Sequence, residues 1–314
     1  MYHDNFFHNF DHATHVTQSV IKLLTRVVTP KDQQTIGSTS KAITTTDSKS
    51  DSAHYLHEYT FGITSDPLTQ FAVVFSALIH DVDHPGVPNS TLVSEKTEMS
   101  QSYKNKSVAE QNSVDLAWEQ LGQPCYADLR ACIFSTDEEY YRFRSLVVNT
   151  VMATDIVDKE LASARRRRWE DAFSTSCKSD DPVLDSNRKA TIVIEHLIQA
   201  SDVSHTMQHW HVYLKWNERF FHECYQAYSE GRSTTHPGDN WYEGELGFFD
   251  FYVIPLAKKL QDCGVFGVSS DEYLNYAVSN RGEWESKGKA LVQGYLSRYE
   301  QQELRRADEE TYSA

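Results

Sequence analysis

Five cysteines in 314 residues, spread as Cys125, Cys132, Cys177, Cys224 and Cys263, are too few and too scattered for a disulfide framework. No CxxC pair starts a zinc ribbon, so a reducing compartment and a cytoplasmic location are expected. No run of about 18 apolar residues occurs, so nothing reads as a membrane span, and Met1-Tyr2-His3-Asp4 opens no signal-peptide pattern. Cationic surplus is missing too: 30 Lys and Arg face 45 Asp and Glu, a net charge of −15. That balance excludes nucleic acid as a partner, because a phosphate backbone wants a basic face. It leaves a small anion admissible, because a metal centre inverts the field around itself. Runs with convincing strand alternation are absent, and so are internal repeats.

What remains is helical periodicity. Val16, Val20, Leu23, Leu24 and Val27 share one helical face, and Phe71 to Ile79 reads as a buried helix stopped soon after by Pro85-Gly86. Between them, about Lys31 to Ser65 is rich in Ser, Thr, Asp and Lys without apolar period, the pattern of a flexible surface insertion. Further helical patterns cover roughly 107–122, 138–172, 189–230, 246–262 and 271–302, with Pro182 and the Gly231 to Gly238 stretch breaking them. The expected class is all-α, with sites built between facing helices. Arg165 to Arg168 reads as a solvated helix face, with a nuclear address as the weaker alternative.

Three segments carry chemistry. Phe7-His8-Asn9-Phe10-Asp11-His12 sets His8 and His12 four apart, which on one helix would place both on the same face. His80-Asp81-Val82-Asp83-His84 begins where the apolar helix ends, and Asp202 continues the stripe of Ile194, Leu197 and Ile198. A carboxylate on such a stripe is costly to bury unless it meets a cation. A lone histidine or a single His-Asp pair is commonplace. Three segments aiming such residues at one cavity are not, and imidazole with carboxylate suits zinc while oxygen-rich sharing suits magnesium or manganese. The chemical reading is a two-metal hydrolase.

These motifs, in order, resemble the signatures of class I 3′,5′-cyclic-nucleotide phosphodiesterases. The resemblance rests on Phe7-His8-Asn9-x-x-His12-Ala13, on His80-Asp81-Val82-Asp83-His84-Pro85-Gly86-Val87-Pro88-Asn89 and on Ser201-Asp202-Val203-Ser204. It continues through Ser107-Val108-Ala109-Glu110, Ala153-Thr154-Asp155, Trp216-Asn217-Glu218-Arg219, Gly247-Phe248-Phe249-Asp250 and Asn280-Arg281-Gly282-Glu283-Trp284, and details such as Gly244-Glu245-Leu246-Gly247 look closest to protist members. It implies that residues 1–314 form an all-helical catalytic domain with a dinuclear metal pocket. His12, His80, Asp81 and Asp202 match ligands of a tighter, zinc-like ion, and Asp81 bridges to a second, magnesium- or manganese-like ion. His84, Glu110 and Thr154 match residues holding that ion's waters, His8 matches the general acid, and Phe220 and Phe248 match the jaws around the base. The implied substrate is a small cyclic nucleotide, cAMP or cGMP. Some similar domains are fused to nucleotide cyclases, so regulatory or cyclase domains in a longer, membrane-linked parent chain are expected partners. The alternatives are an HD-type hydrolase of another nucleotide phosphoester and a non-catalytic cyclic-nucleotide-binding module.

The sequence also departs from that pattern. Glu245 stands where the family has a glutamine that reads the base, His205 where many members have asparagine, and His15 where most have aspartate. A carboxylate only accepts, whereas an amide donates and accepts, so the base preference does not carry over. His15 is expected to be structural. The first histidine motif, at residue 8, arrives earlier than in the family, where several helices precede it.

Overall fold

The computed structural model describes residues 1–26, 57, 60–173, 181–266 and 268–313. Among these there is no strand, and the chain is all-α. The helices are α1 (Phe10–Thr25), α2 (Pro67–Ile79), α3 (Asn89–Ser94), α4 (Glu98–Ser102), α5 (Val108–Gly122), α6 (Ala127–Ile133), α7 (Asp137–Met152), α8 (Lys159–Phe173), α9 (Pro182–Asp202), α10 (Trp210–Ser229), α11 (Pro237–Phe248), α12 (Ile254–Cys263) and α13 (Val268–Ser313).

Their ends follow local chemistry. Asn9 caps α1 by accepting from the His12 N–H, and Asp66 caps α2 by accepting from Thr69, with Pro67 at the first helical position. Pro182, expected as a breaker, instead opens α9, with Asp181 accepting from the Val183 and Leu184 amides. A proline lacks only an N–H that the first turn leaves unpaired anyway. Two other helical patterns divide. The 138–172 stretch parts between α7 and α8, where Asp155 caps the Val157 and Asp158 amides, and the 189–230 stretch parts at a 3-10 turn, Ser204–Met207.

Helix α1 packs on α2 and α9, α2 on α7, and α13 on α10, α11 and α12. The larger core joins Val16, Val20 and Leu23 of α1 to Leu197 and Ile198 of α9, Tyr213 and Phe221 of α10, and Trp284 and Tyr295 of α13. Of the expected insertion at 31–65, positions up to 56 and 58–59 lie outside the described residues. Its end is built structure: Thr60 and Ile63 are buried, and Ile63–Ser65 forms a 3-10 turn leading into α2. The arginine run is also not simply a solvated face. Arg165 is buried and donates to the Asp155 carbonyl, and Arg168 pairs with Glu195.

Candidate metal and substrate site

Three chain segments end at one point. His12 lies in the first turn of α1, His80 and Asp81 directly follow α2, and Asp202 is the last residue of α9. His12 Nε2 is 3.0 Å from Asp202 Oδ1 and 3.6 Å from Asp81 Oδ2, and His80 Nε2 is 3.0 Å from Asp81 Oδ2 and 3.4 Å from Asp202 Oδ1. Four ligands held at zinc distances in a tetrahedron would be about 3.3 Å apart, within that spread. Both imidazoles are almost fully buried. His80 Nδ1 donates to the Ala77 carbonyl at 2.9 Å, which leaves its Nε2 as the lone-pair nitrogen. Although close, His80 Nε2 and Asp81 Oδ2 make no hydrogen bond. Buried polar atoms left this way cost free energy unless something joins them, and a divalent cation fits the donor set.

Burial opposes ionisation of Asp81 and Asp202, but His80, with His8 and His84, holds the Asp81 carboxyl below the usual range, and His12 with His80 does the same for Asp202. A second cluster, His8, His84 and Glu223, also brings three donors together. Here Glu223 is already committed: it accepts from the Phe7 and His8 amides at 2.7 and 2.9 Å and from His8 Nδ1. It therefore acts as a clamp on His8 and not as an open ligand.

His8 itself precedes α1, so it does not share a helix face with His12; Asn9, the cap, stands between them. Its position comes from α10 through Glu223 and from Asn5, whose amide donates to the His8 and His84 carbonyls. Burial alone would lower the His8 pKa, but Glu223 outweighs it and holds the imidazolium up at about 9. His84 stacks on His8 with centroids 3.8 Å apart, and burial together with the neighbouring His8 charge pushes it down to about 3. One ring of the stack is thus a cation and the other neutral.

Glu110, in the first turn of α5, is pushed up to about 7 by burial and by Asp155, and Asn89 holds it by donating to Oε2 at 2.9 Å. The Asn89 side-chain oxygen, Oδ1, also accepts from the Ala109 amide at 2.9 Å. Thr154 follows α7, and its hydroxyl donates to the Val151 carbonyl. Ser107 has left-handed backbone, φ 37°, and its hydroxyl donates to Asp155 at 2.6 Å, tying the start of α5 to the loop that carries Thr154.

His8, His84, Glu110, Thr154, Asp202, His205, Phe220, Glu245 and Phe248 all line one cavity of about 610 Å³. His12 and His80 meet the cavity wall at Asp202, 3.0 and 3.4 Å from its Oδ1. His205 is buried, its pKa kept well below the ordinary value by burial and by His12. His15 lies outside this cavity: it bonds Gln208 and tilts against Trp216, with centroids 5.2 Å apart. Sequence reasoning missed Glu223 and Tyr213, and it named Asn89 and Asn217 only inside motifs, without a role. The signal for Glu223 was present, since it sits three residues after Phe220 in the α10 pattern, a charge on a buried stripe.

The family described as 3′5′-cyclic nucleotide phosphodiesterase matches residues 7–266. The chain is 24% identical over 293 residues to the 3′,5′-cyclic-nucleotide phosphodiesterase regA of Dictyostelium discoideum, covering 90% of this chain and 31% of that protein. It is 25% identical over 268 residues to the mouse dual specificity calcium/calmodulin-dependent 3′,5′-cyclic nucleotide phosphodiesterase 1C, covering 83% and 31%. The chain spans about a third of the length of these curated relatives. The crystal structure of the phosphodiesterase domain of Salpingoeca rosetta rhodopsin phosphodiesterase shares its fold, with a TM-score of 0.67, 22% identity, and coverage of 96% of this chain and 79% of that one.

Proposed function

Because this chain belongs to the 3′5′-cyclic nucleotide phosphodiesterase family, we propose that it hydrolyses 3′,5′-cyclic nucleotides, cAMP and cGMP, to nucleoside 5′-monophosphates. The observation that carries this reading is the convergence of His12, His80 and Asp81 on Asp202, which lines the same aromatic-walled cavity as the imidazolium His8. The family is metal-dependent, and the donor set fits a cation. In this reading His12, His80, Asp81 and Asp202 would hold a zinc-like ion, Asp81 would also serve a magnesium- or manganese-like ion, and His84, Glu110 and Thr154 would hold water at that second ion. When bound, such cations supply Lewis acidity toward the phosphate and a water acidic enough to serve as nucleophile at neutral pH.

The chain's own groups supply the rest. P–O3′ cleavage leaves an alkoxide, which departs poorly unless protonated. His8, charged at neutral pH because Glu223 grips Nδ1, presents Nε2–H as the proton source. Phe220 and Phe248 offer apolar faces for a planar base, and Glu245 and His205 offer it polar contacts. Each side chain to which this chemistry assigns a role is present in the chain, whereas a purely binding module would tolerate such a loss. Residues 1–314 act here as a catalytic domain, with control supplied by regulatory or cyclase domains of a parent chain.

The test is incubation of purified protein with cAMP and with cGMP, in magnesium or manganese and in excess chelator, with products separated chromatographically. Release of 5′-monophosphate only when cations are present is expected. Intact substrate under every condition would overturn the reading, and 3′-monophosphate would refute the role given to His8.

A further inference from the structure

Glu245, like Glu110 in the same cavity and unlike Glu223, is a carboxyl with no ion-pair partner among the described residues. The titratable groups facing it are Tyr213 and Cys224 from α10 and Tyr295 from α13. The cationic side chains of the surrounding helices are engaged elsewhere: Arg298 on Glu218, Arg281 on Asp250, Lys289 over the Tyr242 ring. His205, across the cavity, is neutral.

A chain of hydrogen bonds fixes which way Glu245 is polarised. The Trp241 indole N–H can only donate, and it donates to Asn217 Oδ1 at 3.2 Å. That orients the Asn217 amide, whose Nδ2 donates to the Tyr213 oxygen at 3.4 Å. The Tyr213 hydroxyl proton is thereby turned to Glu245 Oε2, at 2.8 Å. Oε2 must therefore accept, and any proton on Glu245 sits on Oε1.

We propose that Glu245 selects the base according to its own protonation: as a neutral acid it favours adenine, and as a carboxylate it favours guanine. This rests on the cyclic-nucleotide reading above. The neutral acid offers an acceptor, Oε2, beside a donor, Oε1–H, as a carboxamide does. That pattern matches an edge carrying an amino group next to a ring-nitrogen acceptor, which adenine has. The carboxylate offers two acceptors, matching the adjacent ring N–H and amino group of guanine, and it repels the adenine ring nitrogen. The change falls in an accessible range, because burial pushes the Glu245 pKa up to about 7 against the lowering pull of Tyr213 and Asn217.

The experiment measures kcat/KM for cAMP and for cGMP at pH 6 and pH 8.5 on the metal-loaded wild type and on Glu245→Gln. Taking the cAMP:cGMP ratio at each pH cancels titration of His8 and of the metal site, which both substrates share. In the wild type the ratio should fall about tenfold or more as pH rises, following the loss of the neutral acid; in Glu245→Gln it should stay constant within about twofold, since an amide does not titrate. A flat wild-type ratio, or a glutamine variant that shifts equally, overturns the proposal. Calorimetric binding of 5′-AMP and 5′-GMP under the same conditions reads the same ratio without turnover. A shift in binding with no hydrolysis would thus sink the hydrolytic reading alone, and turnover with a flat ratio would sink only the role given to Glu245.

Discussion

At the scale of single residues, the site depends on charges held against burial by their neighbours. His8 is the clearest case: burial lowers its pKa, and Glu223, with Asp81 and Asp202 behind it, raises it. His8→Gln is therefore expected to lower kcat by about 10²–10⁴-fold while leaving metal content unchanged, as measured by steady-state kinetics and elemental analysis. The acid form of His8 is lost as pH rises through about 9, so the wild-type rate should fall on the alkaline side near that value. Glu223→Gln removes the largest raising influence and leaves burial opposed only by the more distant Asp81 and Asp202, so the alkaline limb should move to lower pH. A limb that stays in place would assign it to another group. Asp81→Ala, in contrast, should abolish turnover and reduce bound metal together. A variant that keeps its metal and its rate would remove Asp81 from the ligand set.

At the scale of elements, helix ends make the site, and many of these ends were readable. The sequence marked α2 from Phe71, four residues after its actual start at Pro67, and the polar sequel of that helix marked the candidate metal ligands at its end. Arg165 shows what periodicity could not tell: four successive arginines point around the whole of α8, so one must face inward, and the Asp155 carbonyl is what receives it. Asp155 ties that loop to α5 through Ser107. Asp155→Ala should untie Thr154 from Glu110. The expected result is a loss of stability of about 1–3 kcal/mol for the broken buried hydrogen bond and a weakened response of rate to added magnesium. Unchanged magnesium dependence would make the tie merely structural. Helix α13 plays a supporting role, with Trp284 fully buried and its indole donating to the Tyr242 carbonyl of α11. Trp284→Ala should cost about 3–5 kcal/mol in denaturant titrations.

At the scale of the whole molecule, the −15 charge and the buried acidic cluster predict strong coupling between cation binding and folding. A ligand that binds only the folded chain stabilises it by about 2.7 kcal/mol at a concentration 100 times its dissociation constant. Exhaustive chelation should therefore lower the thermal midpoint by several degrees, and zinc or manganese should restore it. Calorimetry of stripped and reloaded protein checks this. An unchanged midpoint would mean the four donors do not share an ion in the folded state. No helix among the described residues is long and apolar enough to cross a membrane.

The all-α class was legible in the sequence, and so were the motifs whose His12, His80, Asp81 and Asp202 the fold brings together. Helical period is local, and a polar residue placed on an apolar stripe is visible without coordinates. The family motifs likewise marked His8, His84, Glu110 and Thr154, which all line the cavity. Tertiary structure alone decided three things. It put Glu223 of α10 under His8, a contact across 215 residues. It placed His8 ahead of α1 and not on it, because Asn9 is the cap. It also left Glu245 facing Tyr213 with no cation beside it. Each of these depends on which helix packs beside which, and the side-chain pattern along one helix does not encode the partner across the core.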